Sequence, residues 1–287
     1  MLNYKLIGKP DNPIILFLHG FMGNTKEFDQ VIYLLSKNFY CLTVDLPGHG
    51  ETRVLRDEDL QMANTARCVI QLLDNLLDEL KDNELKDNLH NHNSNNRQCI
   101  LVGYSMGGRL SLYLSLHYPE YFSQVILESA SPGLKTESQR QERIKTDAQI
   151  ARKLKRIQNQ DEFKLFLENW YKQPIFGNIK NHPQYSQVIN IRLQNNPTLL
   201  AKSLEIMGTG SQPSLWNKLQ TNNLPILLIL GERDTKFVHI NQQMHDLFKR
   251  SHRKSQLKVI ENVGHNIHFE NPSIFVRAIE DFLKVST

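Results

Sequence analysis

Gly103-Tyr104-Ser105-Met106-Gly107 sets a serine at the centre of a G-x-S-x-G pattern, with an apolar run before it and a run of helical spacing after it. A serine on a tight strand-to-helix turn holds its hydroxyl clear of both elements, where it can react. The flanking glycines are needed because the turn is sharp and its elements pack closely. A neutral hydroxyl also needs a base, and two later positions follow in the order serine, acid, histidine. "PILLILG" (225–231) runs into Glu232-Arg233-Asp234, which places Asp234 just past a strand end. "LKVIENV" (257–263) runs into Gly264-His265. Alone, the Asp reads as a turn residue and the His as a cap. Together the three residues point to a triad in which Asp234 orients His265 and His265 takes the Ser105 proton. "LHGFMGN" (18–24) begins a loop suited to supply one oxyanion-hole N–H, and the residue after the serine supplies the other. We assign these donors to the backbone of Phe21 and Met106. Such a donor is worth roughly 10²–10³ in rate. Met22 and Phe28 read as packing residues, and His49 in "VDLPGHGET" (44–52) as part of a structural turn.

The elements that must position these residues show in the hydropathy. Nearly continuous apolar runs occur at 13–19, 39–45, 98–103, 124–129 and 225–231, with a weaker one at 257–263. Such runs suit parallel strands covered on both faces. Helical spacing lies between them at 26–37, 63–81 and 106–118, and again in the final "PSIFVRAIEDFLKV". The alternation predicts an α/β protein with a doubly wound, mostly parallel sheet. The rhythm stops between 134 and 213. There, amphipathic patterns ("ESQRQERIKTDAQIARKLKRI", "DEFKLFLENWY", "NPTLLAKSLEIMG") are joined by loops carrying Pro174, Pro183 and Pro197. We read residues 134–213 as a helical cap inserted into a core formed by 1–133 and 214–287. Open α/β sheets bind ligands at the strands' carboxyl ends, where a cap would close. The Asn-rich stretch 81–98 reads as a surface loop, with His90 and His92 solvated rather than metal-bound.

Composition excludes several classes. The 287 residues suffice for one substantial core. No apolar run approaches the roughly 18 residues of a membrane span, and the N-terminus lacks a signal-peptide pattern. Cys41, Cys68 and Cys99 are far apart, in what read as a strand, a helix and a strand, and no C-x-x-C occurs. Three buried, reduced thiols and a cytoplasmic location are expected. The net charge of +4 is spread along the chain without a nucleic-acid-binding signature. No phosphate loop or nicotinamide fingerprint is present, so no cofactor, no metal, no nucleic acid and no membrane partner is expected. Oligomeric state is not legible.

Over nearly its full length the chain resembles the α/β-hydrolases. Within them it resembles the 2-succinyl-6-hydroxy-2,4-cyclohexadiene-1-carboxylate synthases of menaquinone and phylloquinone biosynthesis. The matching pieces are "GYSMGGR" (103–109), "PGLKTESQRQER" (132–143), "WYKQPIF" (170–176), "LQNNPTLLA" (193–201), "GERDTKF" (231–237) and "GHNIHFENP" (264–272). The triad and "DLPGHG" are shared across the superfamily, whereas the 134–213 pieces and "GERDTKF" lie where hydrolases diverge. Relative to that family, 81–98 looks like an insertion.

The resemblance implies a lyase that eliminates pyruvate from 2-succinyl-5-enolpyruvyl-6-hydroxy-3-cyclohexene-1-carboxylate. The triad then acts as a base, and the oxyanion hole receives charge spreading onto a carbonyl oxygen. The substrate is a polycarboxylate with three carboxylates, and arginine's planar fork suits such groups. Candidates in matching positions are Arg109, one turn from Ser105, and Arg143 and Arg192 in the cap. Arg140 competes with Arg143 from nearly the same helix face. Tyr104 could hydrogen-bond a carboxylate, and Trp170 could wall the pocket. His268 reads as a hydrogen-bonding neighbour of the site. The alternatives are an esterase, thioesterase or carbon–carbon hydrolase of the same fold, or a binding protein that retains the triad.

Overall fold

The computed structural model describes residues 2–86 and 98–286. Its strands are β1 (Tyr4–Ile7), β2 (Ile14–Leu18), β3 (Tyr40–Val44), β4 (Cys99–Tyr104), β5 (Phe122–Glu128), β6 (Ile226–Gly231) and β7 (Ser255–Ile260). They form one sheet in the order β1-β3-β2-β4-β5-β6-β7. Every pairing is parallel except β1 with β3. Strands β2 to β7 coincide with the six apolar runs. β1 is absent from the sequence reading because it is a mostly exposed edge strand, with no continuous apolar signal to detect.

Around the sheet lie α1 (Asp29–Leu35), α2 (Met62–Lys86), α3 (Met106–His117), α8 (Thr235–Arg250) and α10 (Pro272–Ser286). Between β5 and β6 run α4 (Glu137–Lys155), α5 (Gln160–Trp170), α6 (Tyr185–Arg192) and α7 (Pro197–Met207). A one-turn helix, α9 (Ile267–Glu270), precedes α10. Successive strand residues point to opposite faces. Leu16, Leu101, Val125 and Leu228 therefore pack with Leu110 and Phe248 on one face. Phe17, Val102 and Ile229 pack with Val31, Phe275 and Ile279 on the other. A third cluster of Leu154, Phe163, Leu167, Phe176 and Leu200 joins α4 to α7, and Met22 and Phe269 reach into it from the sheet's side.

Local sequence explains where these helices begin. Thr136 and Asn159 accept the amides of Gln139 and Glu162 at 3.2 and 2.9 Å, and Asn196 accepts Thr198 at 2.9 Å. These are N-caps that satisfy otherwise unpaired helix donors. Pro197 is the first residue of α7 rather than a loop residue, a position where its missing N–H costs nothing.

Three helices are missing from the sequence reading, α6, α8 and the one-turn α9. α8 carries Phe237, Ile240, Met244, Leu247 and Phe248 at helical spacing, and also buries the polar Asn241 and His245 on its inner face. α6 is only eight residues long and buries Arg192. The stretch 81–98 also differs from the expected loop, since α2 continues through Lys86. His90 and His92 lie outside the described residues. Cys41 and Cys99 are buried, with burial pushing both thiols up to about 12, but Cys68 is only half-buried. Among the described residues no helix is long and apolar enough to cross a membrane.

The elbow is packed at backbone contact. A Cβ on Gly107 would run into the Leu18 carbonyl, and one on Gly103 into Ser111. The Gly107 amide also donates to the His19 carbonyl at 3.0 Å, which leaves α3 no room to retreat. Gly107→Ala is expected to cost about 1–3 kcal/mol as an overpacked site. Urea unfolding checks this, and a midpoint equal to the parent's would show that the elbow has slack.

Candidate active site

Strand β4 ends at Tyr104 and α3 starts at Met106, so Ser105 alone makes the turn. Its backbone takes φ 49° and ψ −105°, which a non-glycine residue adopts only under constraint. The constraint is visible on both sides. The Ser105 amide donates to the Glu128 carbonyl at 2.9 Å, and the Arg109 amide donates to the Ser105 carbonyl at 3.0 Å. The Ser105 hydroxyl is thereby held 2.9 Å from His265 Nε2. His265 Nδ1 lies 2.5 Å from Asp234 Oδ2. Asp234 is fully buried and caps α8, where its Oδ1 accepts the Phe237 amide at 3.3 Å. Edge-on contacts from Tyr104, Phe176 and Phe237 enclose the imidazole. The His265 amide donates to the Ile175 carbonyl at 3.0 Å, tying the base to the 134–213 segment.

The loop after β2 is set by His19. Its Nδ1 donates to the Gly20 carbonyl at 2.8 Å, and its Nε2 accepts the Leu46 amide at 2.9 Å. Burial lowers its basicity, in keeping with this neutral tautomer. Gly20 lies where a Cβ would strike the Tyr104 ring, so the loop lies directly against the elbow. Phe21 and Met106 both line the cavity over Ser105. His49 is buried, donates from Nδ1 to the Pro47 carbonyl, and packs on His19 and Phe21. Asn195, which the sequence reading did not single out, staples both loops. It accepts the Gly50 amide at 2.8 Å and donates to the Met22 carbonyl at 2.7 Å.

The cavity brings Ser105 and His265 together with Tyr104, Arg109, Arg143, Trp170 and Arg192. These cations are not equivalent. Arg109 is buried, and its Nη1 donates to the Met207 carbonyl and Gln212 Oε1 at 3.0 and 2.8 Å. Among the described residues no carboxylate lies within ion-pair distance of it. Burial, with Arg143 nearby, lowers its pKa to about 10, and it remains a cation at neutral pH. Arg143 is half-buried and pairs through Nε with Asp147 at 2.7 Å, one turn along α4. Arg192 differs from the expectation of a free fork. Its Nη1 and Nη2 both bind the Glu27 carboxylate, and its Nε donates to the Tyr171 hydroxyl at 2.9 Å. It contributes to the cavity wall with its charge already compensated. Arg140 pairs with Glu137 and is not part of the cavity lining. Lys236, which the sequence reading passed over, lines the cavity, and among the described residues no carboxylate pairs with it. Its place two residues after Asp234, on the first turn of α8, was the signal that could have found it. Burial and then Arg143 lower its pKa. Tyr104 is buried, which holds its phenol well above the usual value and keeps it a donor. Trp170 packs edge-on against Phe21, closing the apolar side.

Behind Tyr104 lies a feature no motif announces. His268 is buried between two carboxylates. Its Nδ1 is 2.7 Å from Glu128 Oε2, and its Nε2 is 3.0 Å from Glu27 Oε1. Burial works against charge on all these groups. For Glu27, Arg192 and His268 outweigh burial and hold the carboxyl well below the usual range. For His268, Glu128 and Glu27 outweigh it and push the imidazole up to about 9.

Residues 13–272 match the family model described as the alpha/beta hydrolase fold. A Bacillus subtilis (strain 168) protein provisionally named 2-succinyl-6-hydroxy-2,4-cyclohexadiene-1-carboxylate synthase is 35% identical, over 94% of this chain and 89% of its own. The synthase of that name from Citrobacter koseri is 31% identical, over 97% of this chain and 96% of its own. Among solved structures, MenH from S. aureus superposes with a TM-score of 0.84 at 33% identity, covering 100% of this chain and 99% of that one.

The protonation of His268 has a consequence for stability. Its folded pKa lies above the ordinary imidazole value of 6.5, so its contribution is fully present below about pH 6.5 and is lost as pH rises through about 9. Urea unfolding at pH 7 and pH 10 should therefore show a larger loss in the parent than in a His268→Gln protein. Equal losses in the two proteins would show that His268 is not charged in the folded state.

Proposed function

The chain belongs to the 2-succinyl-6-hydroxy-2,4-cyclohexadiene-1-carboxylate synthases, lyases on an α/β-hydrolase scaffold, and on that premise we propose how its residues eliminate pyruvate. The substrate of that reaction is 2-succinyl-5-enolpyruvyl-6-hydroxy-3-cyclohexene-1-carboxylate, in menaquinone and phylloquinone biosynthesis. The observation that carries the reading is the triad opening into a cavity walled by Arg109, Arg143 and Lys236. Three cations face a substrate with three carboxylates, and charged hydrogen bonds are worth roughly 1.5–3 kcal/mol each. A neutral ester would leave Arg109 and Lys236 without a carboxylate in a partly dry pocket.

The change in double bonds defines the chemistry. A ring alkene at position 3 becomes a diene at positions 2 and 4, so a proton leaves C2 and the enolpyruvyl oxygen leaves C5. C2 carries the succinyl ketone, which makes that proton acidic. His265 takes the Ser105 proton at Nε2, and the Ser105 oxygen takes the proton from C2. Charge spreads onto the ketone oxygen, where the amides of Phe21 and Met106 receive it. The electrons shift through the ring, the C5–O bond breaks, and the departing enolpyruvate collects the proton held on His265 to become pyruvate. Asp234 holds the imidazole in the required tautomer throughout. Arg109, Arg143 and Lys236 bind carboxylates, Tyr104 donates a hydrogen bond, and Trp170 walls the apolar side. Residues 134–213 act as the cap, since Ile175 and Phe176 touch the base itself.

Incubation with the enolpyruvyl substrate should release pyruvate, and Ser105→Ala should slow this by about 10²–10⁴-fold. Negligible pyruvate release beside efficient cleavage of aryl esters would establish a hydrolase instead. Arg143→Ala should lower kcat/KM for the elimination by about 10–10²-fold, the worth of one charged hydrogen bond. Any ester cleavage should fall far less. Equal losses in both activities would assign Arg143 to folding rather than to substrate.

A further inference from the structure

Tyr104 is packed between two imidazoles, with ring centroids 5.4 Å from His265 and 4.7 Å from His268. The first belongs to the triad. The second takes no part in the proton transfers above, yet it is more heavily bonded. Both of its ring nitrogens face carboxylate oxygens, Nε2 toward Glu27 and Nδ1 toward both oxygens of Glu128, at 2.7 to 3.0 Å. Its backbone amide donates to Glu128 as well, at 3.0 Å. An ionised carboxylate only accepts, so both ring nitrogens must carry hydrogen and the ring is an imidazolium. A neutral ring would aim a lone pair at one carboxylate in a buried setting, where repulsion is poorly screened.

The bonding continues beyond the ring. Glu27 is gripped on its other side by both Nη atoms of Arg192. The result is an alternating row, Glu128–His268–Glu27–Arg192, whose four charges sum to zero. Both ends of the row lie at the site. Glu128 follows the register of Tyr104, and its carbonyl accepts the Ser105 amide. Arg192 closes α6 and forms part of the cavity wall.

We infer that His268, as an imidazolium, is a positioning residue for the elimination: it ties Arg192 of α6, through Glu27, to the Glu128 position that holds the elbow. The inference rests on the elimination reading above. The row sets where the 134–213 helices stand over Ser105, because it spans the two layers through charges rather than through apolar packing. The other titratable groups around it are the Tyr104 phenol on β4, the His19 imidazole after β2, the His49 imidazole after β3, the Tyr171 phenol after α5, and Glu270 at the end of α9, and burial holds both of these imidazoles below their ordinary basicity. None of them can replace the cation. Phe28 and Phe275 pack on the remaining ring faces and exclude water. Loss of the ring proton would leave two buried carboxylates against one guanidinium, and the Arg192 grip on Glu27 would no longer be balanced. The opposing carboxylates outweigh burial and hold the ring charged up to about pH 9.

The test uses the full chain labelled with ¹⁵N, with the His268 signals assigned by their loss in His268→Gln. Both ring nitrogens should show imidazolium shifts at pH 7.5 and titrate near pH 9. In Glu27→Gln the midpoint should fall. A neutral tautomer at pH 7.5 overturns the inference whatever the enzyme turns over. Pyruvate release supplies the second readout. In the parent, kcat/KM should fall as pH rises through the midpoint seen in the spectrum. In Glu27→Gln that limb should move to lower pH, with kcat/KM about 10²-fold down at pH 7.5 and most of the loss in KM, as expected when a binding wall is misplaced by about 1 Å. An alkaline limb unmoved in Glu27→Gln, beside a charged ring, overturns the positioning role. A parent that releases no pyruvate removes the elimination reading, and the spectrum still decides the charge on the ring.

Discussion

Ser105 holds a backbone conformation that an unconstrained serine would leave, at a cost of order 1–3 kcal/mol. Much of the surrounding structure can be understood as what keeps it there. Strand β4 brings the chain in between β2 and β5, α3 takes it away, and glycines at 103, 107 and 108 let these elements meet at backbone contact. The amides on either side are tied to Glu128 and His19, so the turn cannot relax by sliding. The strain is useful because it fixes a hydroxyl in line with His265 before substrate arrives.

Around that turn, charge is divided between groups that are paired inside the protein and groups that are not. Arg192 and His268 are consumed by Glu27 and Glu128, and they hold layers together. Arg109 and Lys236 have no carboxylate partner among the described residues, and Arg143 has one that it meets through Nε alone. The distinction follows from desolvation. A guanidinium as deeply buried as Arg192 persists only with a counter-ion in contact. One at the edge of a cavity can await a carboxylate from solution. On the proposed reading, a polyanionic substrate would complete the second set and leave the first untouched.

The strands β2 to β6 were legible because they are covered on both faces and apolar at nearly every position, whereas β7, a half-exposed edge carrying Ser255, Gln256 and Lys258, gave the weaker signal. The long helices were legible where one face is apolar, as in α2 and α10. β1, α6 and α8 were not. β1 is an exposed edge, α6 is short and buries an arginine, and α8, although it carries apolar residues at helical spacing, also turns Asn241 and His245 inward. Asn241 Nδ2 binds the Ala130 carbonyl at 2.8 Å, a long-range partner that makes a polar residue a core residue. Hydropathy has no means of registering such a partner.

The triad shows the same division. Ser105, Asp234 and His265 could be named from the sequence because each sits just past an apolar run, and strand ends in a parallel sheet converge on one edge. Arg109 stood out for a related reason, being one helical turn from the serine. The commitment of Arg192 to Glu27, 165 positions away in the chain, was decided only by the tertiary structure. So was the role of His268 between Glu27 and Glu128. Local spacing determines which residues share a turn or a face, and so the sequence alone picked out Ser105, Asp234 and His265, which the fold brings into hydrogen-bond contact. Whether a charged side chain is spent or free depends on which opposite charge folding brings against it, and that is not written in any local pattern.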